Sequence, residues 1–476
     1  MEFEAVIGLE VHAQLRTATK LFCGCRADYG GGANSLTCPV CLGLPGVLPV
    51  VNARAVTFAL RLGLATESTI ARRSVFARKH YFYPDLPKGY QITQYELPIC
   101  ADGRLGIRVG AGARSIGIER IHLEEDAGKS LHGTGNTRLD LNRAGVPLLE
   151  IVSRPELRSG EEAHAYLTRL RQLLVYLEIC DGNLEEGSLR CDANVSIRPR
   201  GATALGPRTE IKNLNSLRGV WKAIDFEIAR HTDIVRGGGR VEQATCGWDA
   251  TAARTVFRRS KEEAHDYRYL PEPDLPPLRV TEEELAAVNV TLPELPHARE
   301  ARLAAQYDLL PADAARLADT RPLADYFEAT AAALGDGRAA ANWILAEVLK
   351  FVNERGLAIT AFPVAPAGTA ALLALVRDGT ISGRIAKEVF TEMVETGAAA
   401  AAIVAAKGLR QQSDAVPLAA AAAAVLDAHP RQVADYLGGR TKLFGFFVGE
   451  LMKATGGRAN PELANRLLAE ALARRG

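Results

Sequence analysis

Between Ile118 and Ser153 the chain reads IERIHLEEDAGKSLH, a glycine-rich turn, then LDLNRAGVPLLEIVS, so Glu124, Glu125, Asp126 and Glu150 stand among short apolar runs. Ionised side chains in such surroundings are costly unless paired or bound to a cation. Any fold of this chain has to supply these carboxylates with counter-charge, and a divalent metal is the simplest source. The same stretch contains Gly128-Lys129-Ser130, which resembles the end of a phosphate-binding loop. That motif needs a glycine where Leu123 stands, so a P-loop is rejected.

A length of 476 residues favours two to four domains with a sizeable core. Lys and Arg number 57 against 56 Asp and Glu, so any contact with nucleic acid has to come from local basic patches. No apolar run approaches the roughly 20 residues of a membrane span. The start MEFEAVIGLE lacks the basic and apolar regions of a signal peptide, and a soluble cytoplasmic protein is expected. Four of the eight cysteines cluster as Cys23-x-Cys25 and Cys38-x-x-Cys41, a pattern that in a reducing compartment points to metal before disulfide. Four thiolates suit a tetrahedral zinc site of structural type, because no coordination position stays open. Cys100, Cys180, Cys191 and Cys246 are expected in the core.

Residues 4–15, EAVIGLEVHAQL, follow the two-residue period of a strand, with Glu10, His12 and Gln14 on one face and Leu9, Val11 and Ala13 on the other. A strand with a merely solvated polar face is the alternative. Asn52 to Leu64 has helical periodicity. Phe76 to Ile99 then sets Lys79, His80 and Lys88 among Tyr81, Phe82, Tyr83 and Tyr90, which suits a nucleotide or RNA. A plain surface loop with snorkelling lysines is the alternative there.

Ser159 and Glu162 form a capping-box pattern before an apolar helix face of Tyr166, Leu167, Leu170, Leu173, Leu174 and Leu177. Alternation in LRCDANVSIRP places Arg190, Asp192, Asn194, Ser196 and Arg198 on one side, and TEIKNLNS sets Glu210 and Lys212 opposite Ile211. The fold class expected is α+β, with a mostly antiparallel sheet curved around a site and helices packed on it. A charged, proline-rich segment, Thr255 to Leu278, closes this part, and LPELPH marks a linker. Beyond it alanine-rich helices dominate, among them Ala339 to Asn353, Gly383 to Thr396 and Leu418 to Leu426. The last one has Asn460 as N-cap and Pro461 at its first position. Arg440, Lys442, Lys453 and Arg458 near the end suit a phosphate backbone or a solvated helix face.

The motifs GLEVHAQL, CPVCLGLPGVLPV, YFYPDLPKGYQI, HLEEDAGKS, DLNRAGVPLLEIVS, EEGSLRCDANVSI, TEIKNLNS and DYRYLPEPDLPPL carry a resemblance. Over essentially its full length the chain resembles the B-subunit family of aspartyl/glutamyl-tRNA amidotransferases, with shorter matches (AANWIL, GRIAKEVF, VGELMK) in the helical end. The resemblance implies a cradle-like catalytic domain over 1–293, a helical domain over 294–407 and a small helical tail over 408–476 that contacts tRNA. It implies ATP-dependent phosphorylation of the side-chain carboxylate on misacylated tRNA(Gln) or tRNA(Asn), followed by displacement of phosphate by ammonia. Glu10, His12, Glu125 and Glu150 match the family's magnesium positions, with Glu210 and Asp192 expected to border the same site; His12 is expected to act through water.

Lys79, Lys88 and Arg190, with Asn194, are then the expected ATP-binding groups, and Lys79, Lys88, Glu125 and Asp192 the expected catalytic set. No amidase-type Ser/Lys or glutaminase-type Cys/His signature is present. Ammonia is therefore expected from a partner, the family's glutamine-hydrolysing A subunit, with a small C subunit wrapping the pair. The neighbourhood of Lys88, Glu125, Asn213 and Ser216 is the expected tunnel mouth. Phe257 departs from the family's usual Met before the basic Arg-Ser run. Two rival readings are a non-catalytic, zinc-stabilised tRNA adapter and an ATP-dependent ligase or kinase acting on a small carboxylate.

Overall fold

The computed structural model describes residues 2–110, 112–260, 267–411 and 414–476; part of the charged closing segment, 261–266, lies outside them. The chain divides into two units at Leu295/Pro296.

The first unit is built on a nine-stranded sheet. Its strands are β1 (Phe3–Gln14), β2 (Thr69–Ile70), β3 (Cys100–Val109), β4 (Gly112–Glu125), β5 (Pro147–Ser153), β6 (Leu189–Pro199), β7 (Thr209–Leu214), β8 (Ala244–Asp249) and β9 (Arg254–Ser260). Across the sheet they run β9-β8-β7-β6-β1-β5-β4-β3-β2. The β7–β8 ladder is parallel and the others are antiparallel. The N-terminal strand therefore lies in the middle, with His12 opposite Glu150 on one side and Arg190 on the other. Paired residues share a face, so this register gathers the polar alternates of four strands on one surface.

The opposite face is apolar: Leu9, Val11, Ile121, Leu123, Leu149, Ile151 and Ala193 are buried in one core. In unit one the helices are α1 (Pro39–Leu42), α2 (Ala53–Ala65), α3 (Gly160–Tyr176), α4 (Leu217–Arg236) and α5 (Glu282–Val290). The stripe Tyr166, Leu167, Leu170, Leu173 and Leu174 of α3, with Leu177 after it, enters that core. Each buried leucine contributes about 1.5–3 kcal/mol relative to exposure, and Leu170→Ala would cost about 2–5 kcal/mol.

Ser159 caps α3 by accepting from the Glu162 N–H at 3.1 Å, but the capping box is one-sided, because the Glu162 carboxylate accepts from the Arg158 N–H at 2.8 Å instead. Asn52 caps α2. Cys100, Cys180, Cys191 and Cys246 are all buried. Lys129–His132 forms a hairpin with Thr137–Asp140, so no helix begins at Gly128-Lys129-Ser130. A small three-stranded sheet, Leu270–Pro271, Ala77–His80 and Tyr90–Thr93, carries the basic and aromatic segment.

The second unit is helical among its described residues, with one apolar core around Phe327, Ile344 and Phe390 and another around Leu418, Phe447 and Leu468. Gly383–Thr396 is one helix, and the alanine tract lies within Ala415–Ala428. The helix expected over Ala339 to Asn353 is broken by a π turn at Ile344–Val348. Asn460 caps the last helix through the Leu463 N–H at 3.0 Å, with Pro461 at its first position. Among the described residues no single helix is long and apolar enough to cross a membrane.

Candidate active site

On the polar face, β1, β5 and β4 bring His12, Glu150, His122 and Glu124 together. His12 Nε2 lies 3.4 Å from Glu150 Oε2 and 3.6 Å from Glu124 Oε1. His122 Nε2 lies 3.5 Å from Glu150 Oε2 and 3.8 Å from Glu124 Oε2, while its Nδ1 is buried without a partner. Burial works against a charge on either imidazole, but the carboxylates override it: His12 is raised above its ordinary value and His122 is pushed up to about 9. Burial also opposes ionisation of Glu150, yet the two imidazoles hold it well below the usual carboxylate range. One ligand atom each from His12, Glu124 and Glu150 lie within 4.8 Å of one another, the spacing of donors around one cation.

A second arc continues along β1, β6 and β7. Asn194 Nδ2 donates to Glu10 Oε1 at 2.9 Å. Lys212 bridges Asp192 and Glu210, and Thr245 Oγ1 donates to Glu210 Oε2 at 3.0 Å. Burial, then the charges of Glu150, Glu210 and Asp192, raise Glu10. The cleft above it holds about 520 Å³ and is walled by Lys79, Arg208, Tyr267 and Tyr269. The Lys79 ammonium sits 5.0 Å from the Tyr267 ring centre. Burial opposes its charge, but Glu124 and its neighbours raise it overall, so Lys79 stays cationic. Arg190 stands opposite His12 but turns its guanidinium to Asp126 at 2.9 Å.

The structure does not bring Glu125 to this cluster. Successive side chains on a strand face opposite ways, so Glu124 joins the imidazoles while Glu125 points through the other face. There it accepts from the Ile92 N–H at 2.9 Å and from the Lys88 ammonium. Lys88 is thus separated from Lys79, and the Lys88–Glu125 pair lines a pocket of about 220 Å³. Asn213 and Ser216 do not join them: Asn213 donates to the Trp248 carbonyl at 3.1 Å, and Ser216 caps α4. Their strand end belongs to β7, four places from β4. Sequence reasoning left Glu124 unassigned and passed over His122, although the alternation in Ile121-His122-Leu123-Glu124 already put both on one face.

Cys23, Cys25, Cys38 and Cys41 converge with their sulfurs within 4.8 Å of one another, a set that a metal such as zinc fits. The Cys38 N–H points at Cys41 Sγ, 3.1 Å away, and fully buried Lys20 has its ammonium 3.6 Å from the same sulfur. The hydrogen bond from Cys23 leads, and Lys20 adds to, the forces that bring Cys41 down to about 4 against its burial. In the tail, Arg440 pairs with Asp435 at 3.0 Å and Lys453 lies 3.8 Å from Glu450.

Fold and site define an α+β domain with an acid–imidazole centre, followed by a helical C-terminal part. The model of the GatB/GatE catalytic domain matches residues 5–286, and that of the GatB domain matches 325–472. The B subunit of the aspartyl/glutamyl-tRNA(Asn/Gln) amidotransferase of Geobacter sulfurreducens is 54% identical over 99% of this chain and 100% of its own length. Those of Myxococcus xanthus and Chlorobium phaeobacteroides are 53% and 52% identical, each over 99% of this chain and 99% and 100% of their own lengths. The chain belongs to the family of B subunits of aspartyl/glutamyl-tRNA(Asn/Gln) amidotransferases.

Proposed function

We propose that the chain is the B subunit of a glutamine-dependent ligase that converts misacylated Glu-tRNA(Gln), Asp-tRNA(Asn) or both to the amide, using ATP. A carboxylate is a poor acyl donor until one oxygen becomes part of a leaving group. Transfer of the γ-phosphoryl group to the side-chain carboxylate gives an acyl phosphate and ADP; attack by ammonia then forms the C–N bond and releases phosphate. The observation that carries this reading is the His12–Glu124–Glu150 cluster, its two carboxylates buried, in a cleft also walled by Lys79 and Arg208.

In this reading His12, Glu124 and Glu150 would hold a magnesium ion, with Glu10 and Glu210 bordering the same site. The ion would neutralise phosphate charge when bound. Lys79 takes phosphate oxygens and steadies the charge that develops in transfer. Lys212 holds Asp192 and Glu210 in place, and Asn194 orients Glu10. Arg190, bound to Asp126, borders the site rather than entering it.

The Lys88–Glu125 pair, on the far side of β4, serves the incoming ammonia. Its pocket is bordered by the loop after α1, where Leu44, Leu48 and Val50 are exposed, which suits a partner that supplies the nitrogen. The partners proposed are the glutamine-hydrolysing and the small wrapping members of the same heterotrimer, in the cytoplasm. Residues 294–407 act as a helical domain and 408–476 as a tail that meets tRNA. The cysteine site holds structural zinc.

Phosphate release from ATP by the purified heterotrimer, with and without misacylated tRNA, tests the reading. Release that needs the misacylated tRNA and disappears in Glu124→Gln supports it. RNA binding without ATP turnover would instead support an adapter, and turnover on free glutamate a small-molecule ligase.

A further inference from the structure

The cysteine cluster and the Lys88–Glu125 pair wall the same pocket, with Cys23 and Cys41 among its lining residues and Lys88 and Glu125 facing them. Two glycines at positive φ fill the space between. Gly43 ends α1, the turn that presents Cys38 and Cys41, at φ +68. A Cβ there would lie 2.2 Å from Lys88 Cγ and 3.1 Å from Lys88 Cβ and Cδ. Lys88 cannot simply swing aside, because its ammonium is held by Glu125 and that carboxylate is held by the Ile92 N–H. Gly145, at φ +85, makes the second contact: a Cβ there would lie 3.3 Å from Cys41 Cβ and 3.8 Å from Glu125 Oε2.

A metal held by four thiolates ties the segment of Cys23 and Cys25 to the segment of Cys38 and Cys41. The backbone of Gly43 then lies directly on the Lys88 stem, with no side chain between them. We infer that Gly43 is a positioning residue through which the metal-closed cysteine knuckle sets the Lys88–Glu125 pair and so governs the use of ammonia. The link to ammonia rests on the role proposed above for that pair; the mechanical link does not. The structural reason for a closed metal site with no open coordination position is then the pair it braces.

Two perturbations of the heterotrimer test this: Gly43→Ala, and chelator removal of zinc from wild type followed by zinc return. The first readout is hydrogen–deuterium exchange at the Ile92 amide, which reports the Glu125 contact without any activity. The second is amide formation driven by glutamine against that driven by ammonium chloride, with bound zinc and tRNA-dependent phosphate release as controls. Gly43→Ala is expected to keep its zinc and its phosphate release, speed exchange at Ile92, and lose about tenfold of the glutamine-driven rate while the ammonium-driven rate changes little. Zinc removal is likewise expected to speed exchange at Ile92 and lower the glutamine-driven rate while phosphate release is kept, and zinc return to reverse both changes.

Unchanged exchange at Ile92 under both perturbations overturns the inference whatever the activity does. Faster exchange with equal loss from both nitrogen sources keeps the brace and overturns its role in ammonia use. If Gly43→Ala fails to assemble, the zinc arm decides alone. A wild-type heterotrimer without tRNA-dependent phosphate release would sink the proposed function and leave the exchange result standing.

Discussion

Glu124 and Glu125 are consecutive at the end of β4, yet their carboxylates enter different cavities, one with His12 and His122 and the other with Lys88. The strand's alternation makes one peptide unit the partition between the acid–imidazole centre and the ion-pair pocket. The Glu125 carbonyl beside that peptide accepts from Gln91 Nε2 at 2.7 Å, which pins the partition in place. In the function proposed, phosphoryl transfer and nitrogen supply thus border each other across a single strand.

Substituting the two residues should separate the half-reactions. Glu124→Gln is expected to lower tRNA-dependent phosphate release by about a hundredfold or more, through loss of a charge that would hold the proposed cation. Glu125→Gln is expected to keep most of that release and lose glutamine-driven amide formation. Parallel loss of both activities in Glu125→Gln would place Glu125 in the phosphoryl site after all.

Lys79→Met should raise the KM for ATP and slow phosphate release by about a hundredfold, since it removes a cation that Glu124 and its neighbours keep charged against burial. Steady-state kinetics at varied ATP would read both effects. An unchanged KM and rate would take Lys79 off the phosphates.

Lys20→Met should weaken zinc binding by about tenfold, because a fully buried ammonium beside Cys41 offsets the excess negative charge of four thiolates. Competition with a coloured chelator measures this. Equal affinity in the variant would mean that the Lys20 charge is not felt at the metal.

Glu227 on α4 is fully buried and accepts from Arg230 at 2.7 Å, His231 at 3.1 Å and Thr255 at 2.5 Å. Burial pushes this carboxyl up, but hydrogen bonds from His231, Arg230 and Thr255 bring it down from 4.5 to about 2. A folded-state value below the unfolded one gives stability that is present above about pH 4.5 and fades as pH falls toward 2; the shift corresponds to roughly 3 kcal/mol. Glu227→Gln should therefore lower Tm at neutral pH and flatten the acid limb of stability. A limb as steep as in wild type would rule this network out as its source.

Much of this was readable in the chain. Period two in GLEVHAQL and LRCDANVSI put Glu10, His12, Asp192 and Asn194 on polar faces, and the ladders between β1 and β6 realise that register. The cysteine spacing and the cap at Asn460 are local signals, and both appear where the sequence puts them. Glu125 looks equivalent to Glu124 in a string of acids, but the alternation running up to them sets them on opposite faces, a phase that Leu123 opposite Leu149 in the core bears out. What escaped depends on distant pairing. Asn213 and Ser216 fall away from Lys88 because sheet order, which local patterns do not encode, puts three strands between β7 and β4.

The central place of β1 also bears on the order of events when the chain is made. Its ladder partners are β5 and β6, so this strand leaves the ribosome with no neighbour until residues 147–153 and 189–199 follow. Such distant pairing raises contact order and slows folding. An apolar strand edge around Val6, Ile7 and Leu9 waits unpaired throughout, exposed to aggregation during synthesis. The acid–imidazole centre thus cannot assemble before Ser153 is made, about half-way through the first unit.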